Sequence, residues 1–239
     1  MQINTSFDFR TDSGPERDPD THSPTLRRYH RFLWSKPLPD GRPFDLDDRT
    51  PGAYLHHRSE VGEFWLASDS VMQTFAAWDV VKPVVEALPT QDVDRFKTIT
   101  YTIGGMLIFP ANKVEGQVTI NGARGFHPRI ADRLDLTLEC IRRHYLGVSS
   151  PLADTLLRYR DFFALFGDFR GYVEFFLLQD LLTSEGTVAF FTPFGDFQAS
   201  PIPRDVETYG DFMRASIQFV AARNHRIAEW AKDHAPSGS

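Results

Sequence analysis

Residues 172–182 read Tyr-Val-Glu-Phe-Phe-Leu-Leu-Gln-Asp-Leu-Leu, with only Glu174, Gln179 and Asp180 polar. Wound as a helix, this stretch is apolar nearly all round and has no face to give to water. It predicts a central element that the rest of the chain must wrap. The flanking segments supply wrapping helices. In residues 128–146, Ile130, Leu134, Leu138, Ile141 and Tyr145 recur at helical spacing, and Gly147 follows as a stop. Ser150-Pro151 starts a helix predicted to reach residue 166, and a last helix covers residues 204–232. Upstream, Ser23-Pro24 opens a helix over residues 24–35 that must end before Pro37.

Strands are predicted only in the middle of the chain. Residues 54–66 read as two short strands around Ser59-Glu60. Residues 70–78 and 80–88 read as two helices, the first capped by Asp69 or Ser70. Residues 96–109 are the main strand candidate, with Gly104-Gly105 marking a bulge or a close backbone approach. Residues 118–120 are its partner, followed by a glycine turn around Arg124, and residues 187–191 are a further short strand. The expected fold is α+β: a mostly helical single domain, residues 23–239, with a small central and largely antiparallel sheet. Residues 1–22, with five acids between Asp8 and Asp20, read as an extended polar arm.

Charge and cysteine content exclude several functions. The single cysteine, Cys140, rules out an intramolecular disulfide and a cysteine-rich zinc module, and it points to a reducing cytoplasm. No apolar leader and no membrane-length segment are visible, so no membrane partner is expected. The formal net charge of −6 argues against a general nucleic-acid coat. Yet 21 of the 26 basic residues are arginine, the residue suited to bidentate phosphate or carboxylate recognition. Phosphate-loop, dinucleotide-binding, paired-histidine metal and nucleophile-elbow patterns are all absent, and His56 and His57, adjacent on a strand, would point to opposite faces. No metal and no cofactor are expected.

Four constellations could carry chemistry. Arg27, Arg28, Arg31 and Lys36, interleaved with Tyr29, His30 and Trp34, lack an intervening acid. They fit either phosphate-backbone contact or a solvated face paired with Asp45, Asp47 and Asp48. Asn112, Lys113, Asn121 and Arg124 surround a predicted loop, with Gly122 and Gly125 exposing the Arg124 guanidinium to a ligand. Arg133, Thr137, Cys140 and His144 line one helix face, beside an expected Glu139–Arg143 ion pair. Glu174 and Asp180 sit in the apolar segment, where they need partners such as Arg158, Arg160 or Arg170. Asp168 reads as a helix cap or a loop carboxylate.

The runs PTLRRYHRFLWSKPLP (24–39), GGMLIFPANKVEGQVTINGARGF (104–126) and the stretch 129–182 resemble a widespread bacterial family of domains of unknown function. The resemblance covers most of the chain beyond the arm. The sequence is also similar to phage-defence DNA glycosylases that remove glucosylated hydroxymethylcytosine. The uracil-glycosylase water-activating and His-Pro-Ser patterns and the helix-hairpin-helix turn are missing, so no catalytic residue transfers by motif. That resemblance implies a DNA partner, a flipped base and an oxocarbenium-like sugar. Under it, Arg27, Arg28 and Arg31 hold phosphates. Phe109 and Phe126 stack, Asn112 positions water or reads a base, and Asp132, Asp135 or Asp168 supplies charge. Arg124, Arg133 and His144 bind substrate. Two competing readings are a metal-independent ribonuclease using His144 and Arg133, or an ADP-ribosyl transferase, and a non-catalytic protein-binding module. Convergence of Asn112, Arg124, Arg133 and His144 on one pocket would favour an enzyme, and their scatter would favour the binding module.

Overall fold

The computed structural model describes residues 1–48 and 54–234 and is an α+β fold, with helices predominating. Its sheet has three antiparallel strands in the order β1 (Leu55–Ser59), β2 (Gly62–Ser70) and β3 (Met106–Pro110). Leu55 pairs with Leu66 across the hairpin, and Ser70 pairs with Met106 on the other side. Every residue of β3 is buried, so helices cover both faces of that strand.

Ten helices surround the sheet among the described residues. They are α1 (Pro19–His22), α2 (Pro24–Trp34), α3 (Lys82–Glu86), α4 (Thr90–Thr100), α5 (Ile120–Phe126), α6 (Leu134–Tyr145), α7 (Ala153–Arg158), α8 (Arg160–Ala164), α9 (Phe169–Phe175) and α10 (Val206–Asp233). The Ser23 hydroxyl caps α2 as expected by accepting from the Leu26 N–H, and Asp205 caps α10 by accepting from Thr208.

Where helix and strand patterns compete, burial at helical spacing decides. Residues 96–100, expected in a strand, belong to α4, because Val93, Phe96 and Thr100 make one buried face. The strand begins only at Met106. Residues 118–120 are not its partner. Thr119 caps α5 instead, accepting from Gly122 N–H, and α5 buries Ile120 and Arg124 four residues apart. No helix forms over residues 70–78, because β2 continues through Asp69 and Ser70. The helix expected from residue 128 starts at Leu134, since Ala131 and Asp132 hold left-handed φ values of 46° and 63°. The helix expected to run to residue 166 breaks at Tyr159 into α7 and α8. Residues 187–191 contribute only an isolated bridge between Leu182 and Val188.

The N-terminal residues form no extended arm. Ile3 and Phe9 are buried, Phe9 packs edge-on against Tyr29 at 5.8 Å, and α1 lies against β2. Apolar residues spaced through a polar segment suffice to lay it on the domain.

The segment 172–182 is central, but it is not one helix. It turns at Leu177, with φ at 53°, between α9 and a short 3-10 turn at Gln179–Leu181. Arg223 on α10, itself fully buried, donates to the carbonyls of Phe176 and Leu177 and to those of Gly104 and Met106. The carbonyls freed by the break thus find a donor, and the core segment is pinned to the start of β3. Close approach at Gly104-Gly105 is as expected. A Cβ on Gly105 would lie 2.1 Å from the Thr100 carbonyl oxygen. The two acids of the segment are paired: Glu174 with Arg170 at 2.7 Å, and Asp180 with Arg226 at 2.8 Å, a partner from α10. Replacing Arg223 with Lys is expected to cost on the order of 2 kcal/mol, because an ammonium cannot reach all four carbonyls at once. A thermal melt should show a loss of roughly 4–8 °C.

Candidate active site

Three carboxylates, from three separate parts of the chain, meet at the end of β2. Asp69 is carried by the strand, Asp20 by α1, and Asp132 by the left-handed turn that precedes α6. Arg124, with no exposed side-chain surface, reaches them from α5. Its Nη1 lies 2.5 Å from Asp69 Oδ2 and 2.6 Å from Asp132 Oδ1. Its Nη2 donates to the Asp132 carbonyl at 2.8 Å and its Nε to Thr137 Oγ1 at 3.2 Å, and Phe109 lies beneath at 5.6 Å. One guanidinium therefore serves two carboxylates and fixes the backbone of the turn that carries one of them.

Asp20 stands behind this pair. It accepts from Ser68 Oγ at 2.7 Å and from the Ser70 N–H at 3.1 Å. Ser68 Oγ in turn lies 2.9 Å from His30 Nε2, while His30 Nδ1 accepts from Trp34 Nε1 at 3.0 Å. The indole can only donate, which leaves the His30 Nε2–H to donate to Ser68. Burial, with Arg223 nearby, keeps this imidazole neutral and pulls its pKa down to about 3. Burial is also the main cause that pushes the Asp20 carboxyl up to about 6, and the neighbouring charges of Asp18 and Asp132 add to it. Asp69 is raised as well, by burial and then by Asp132 and Asp20, against the pull of Arg124. Asp20 and Asp69 thus both keep a proton to higher pH than an ordinary carboxyl.

A raised carboxyl pKa gives stability a defined pH dependence. Between the ordinary value near 4 and about 6, the folded chain keeps a proton on Asp20 that the unfolded chain has released. The folded state therefore gains relative stability as pH falls through that window and loses it as pH rises. Denaturant titrations at pH 5 and pH 7.5 should show this slope, and Asp20→Asn should reduce it to the part that the raised Asp69 contributes.

The carboxylates open to solvent through two adjoining cavities. One, of about 510 Å³, is lined by Asp20, Asp69, Asp132, Arg10, Lys97 and Tyr101. The other, of about 960 Å³, is lined by Trp78, Phe126, Arg129, Gln198 and Arg204. Gln73 and Asp132 line both, so Asp132, with 22% of its side chain exposed, stands where the two join. Such a setting suits proton transfer to and from a bound substrate. Among the described residues, no group of three or more His, Cys, Asp or Glu is placed to hold a metal ion.

A family model matches residues 3–227 of the chain. The chain belongs to DUF6994, a family of unknown function. No curated protein and no solved structure matches it. No helix of this DUF6994 member, among the described residues, is long and apolar enough to cross a membrane.

Of the residues expected from the sequence, Asp132, Arg124, Phe109 and Phe126 come together in this one region. Arg124 is not the exposed ligand contact that its glycine neighbours suggested, because α5 turns it inward onto carboxylates. The other expected residues lie elsewhere or are engaged. Arg133, 2% exposed, is paired with the fully buried Asp135, which also accepts the Phe191 N–H. Arg133 further donates to Thr192 Oγ1 and the Pro201 carbonyl, so this pair is a core tie. His144 packs on Phe163, and Asp168 caps α9 through the Gly171 N–H. Asn112 is exposed, and its carbonyl accepts from Tyr159. Arg27 donates to the carbonyls of Asp48 and Tyr54, Arg31 pairs with Asp48 at 3.0 Å, and Arg28 donates to Thr25. The basic face of α2 is thus largely taken up within the chain, the solvated alternative. Lys36 sits among Trp34, Phe175 and Trp230 at 4.7–5.2 Å. The Glu139–Arg143 pair forms at 2.8 Å. Burial pushes the Cys140 thiol up to about 12, as suits an inert core residue. His56 and His57 take different partners, Glu63 and the Asp45 carbonyl.

The sequence reading missed Asp20 and Asp69. Asp69 carries one signal, an acid closing a strand-favouring run from Phe64, which the expectation of a helix capped by Asp69 or Ser70 hides. Asp20 carried none, since only the docking of α1 on β2 brings it to Ser68 and Ser70.

Proposed function

We propose that this chain hydrolyses a glycosidic bond, as a DNA glycosylase excising a modified cytosine and leaving an abasic site. The observation that carries this reading is the sharing of Arg124 by Asp69, which lines the smaller cavity, and Asp132, which stands where the two cavities join. Glycosidic hydrolysis needs one carboxyl group that gives a proton to the leaving group and one carboxylate that directs water and balances positive charge on the sugar. Asp69, raised by burial, suits the first role. Asp132, held by Arg124 and reaching solvent, suits the second. Water adds to the anomeric carbon as the carbon–nitrogen bond breaks. The departing base takes the proton from Asp69, and Asp132 takes one from the water.

Exposed Arg129 and Arg204, which form no ion pair among the described residues, would hold phosphates despite the net negative charge. The cavity of about 960 Å³ has room for a base with a bulky substituent such as glucosylated hydroxymethylcytosine. Incubation with modified phage DNA and with unmodified DNA, followed by assay of free base and abasic sites, tests the proposal. Release from the modified DNA supports it, and no release from any DNA overturns it.

The binding-module reading has one specific observation in its favour: Asn112, Arg133 and His144 do not join Arg124 in one pocket. Under that reading Asp69→Asn and Asp132→Asn leave the cellular phenotype untouched, whereas loss of surface aromatic residues abolishes it. The ribonuclease reading through His144 and Arg133 has no such support, because those two residues are engaged in separate packing.

A further inference from the structure

Phe126 is 92% exposed, more than any other large apolar residue described. A phenyl ring so placed contributes almost nothing to the core. Its position is nonetheless fixed. It is the last residue of α5, two places after Arg124, whose guanidinium is locked on Asp69 and Asp132 and whose carbonyl accepts from the Asp132 N–H. The next turn is tied by the His127 carbonyl, which accepts from the N–H groups of Ile130 and Ala131. The ring stands at the cavity that Asp132 shares, with Trp78 on the wall and Arg129 and Arg204 at the same cavity. Trp78 is itself set by an edge contact with Phe75 at 5.2 Å.

A rigidly carried, water-exposed ring beside a proton-transfer site, flanked by unpaired arginines, has the attributes needed to unstack a nucleic-acid helix. A base inside a duplex cannot reach carboxylates in a cleft, so something must take its place in the stack. We propose that Phe126 enters the base stack of a duplex substrate and fills the place of the base drawn towards Asp132, with Arg129 and Arg204 on the flanking phosphates. The proposal rests on the glycosylase reading for its substrate, and it assigns the chain to duplex rather than single-stranded DNA.

The test uses the full chain and a duplex carrying 2-aminopurine beside the modified cytosine, with fluorescence reporting loss of stacking. Binding of the wild-type chain should raise fluorescence severalfold, Phe126→Ala should abolish most of the rise, and Phe126→Trp should keep it. In excision assays Phe126→Ala should lose about tenfold or more on duplex and less than about twofold on the single strand, the size of one lost stacking contact. Its melting temperature should match that of the wild-type chain. No rise with the wild-type chain overturns the inference, as does a rise kept by Phe126→Ala, or an equal loss on both strands forms. If no base is released from any DNA while the fluorescence still follows Phe126, the glycosylase reading fails and the stack entry stands.

Discussion

Asp132→Asn is expected to lower the single-turnover rate of base release by roughly 10²–10⁴-fold while leaving the fold intact, the range for removing a positioned proton acceptor. The substitution is chosen for its backbone. Asp132 holds a φ of 63°, a region that asparagine tolerates better than most residues, so the turn before α6 should survive. The amide also keeps an oxygen for Arg124 Nη1, and the main-chain carbonyl that accepts from Nη2 is unchanged. What disappears is the charge at the junction of the two cavities. A large rate loss with a melting temperature within a few degrees of wild type would place the effect in chemistry. An equal loss of stability would place it in the turn.

Arg124→Ala is expected to be among the most destabilising single changes in the chain, by about 3–5 kcal/mol, as for other buried ion pairs broken on one side. For a domain of this size the melting temperature should fall by roughly ten degrees. The arginine has no exposed side-chain surface and leaves behind two carboxylates that repel each other and an empty volume over Phe109. Combining Arg124→Ala with Asp69→Asn should recover part of the loss, because one of the orphaned charges is then gone. The double-mutant cycle measures that coupling. Had Arg124 been an exposed ligand contact, its removal would leave the melting temperature unchanged.

The two expectations differ in how far the sequence could lead. Asp132 was legible as one of three carboxylates that could supply charge, and Phe126 as an aromatic that could stack. Arg124 was legible as a special residue, but its direction was not. The glycines around it suggested a turn, whereas Thr119 as cap and Ile120 four residues before Arg124 build a helix that points the guanidinium inward. The same competition decided residues 96–100, where β-branched and aromatic residues suggest a strand and the buried face of Val93, Phe96 and Thr100 makes a helix.

The central segment was legible as central from composition alone. Its break at Leu177 was not, because the donor that makes the break tolerable is Arg223, far away in sequence. The catalytic proposal shares this dependence. Asp20, Asp69 and Asp132 become a group only when α1 docks on β2 and α5 supplies the shared cation, and no local pattern encodes that meeting. The hairpin, α2 and α10 needed no distant partner and were readable from caps, proline and periodicity.

The proposed reaction breaks a single bond, the one between sugar and base. Reaction with modified DNA in heavy-oxygen water, followed by mass spectrometry of both products, tests it most directly. Expected are free modified base without label and an abasic sugar carrying one labelled oxygen at the anomeric carbon, with both products formed far more slowly by Asp132→Asn. Label on a phosphate, or intact DNA under every condition, would contradict it.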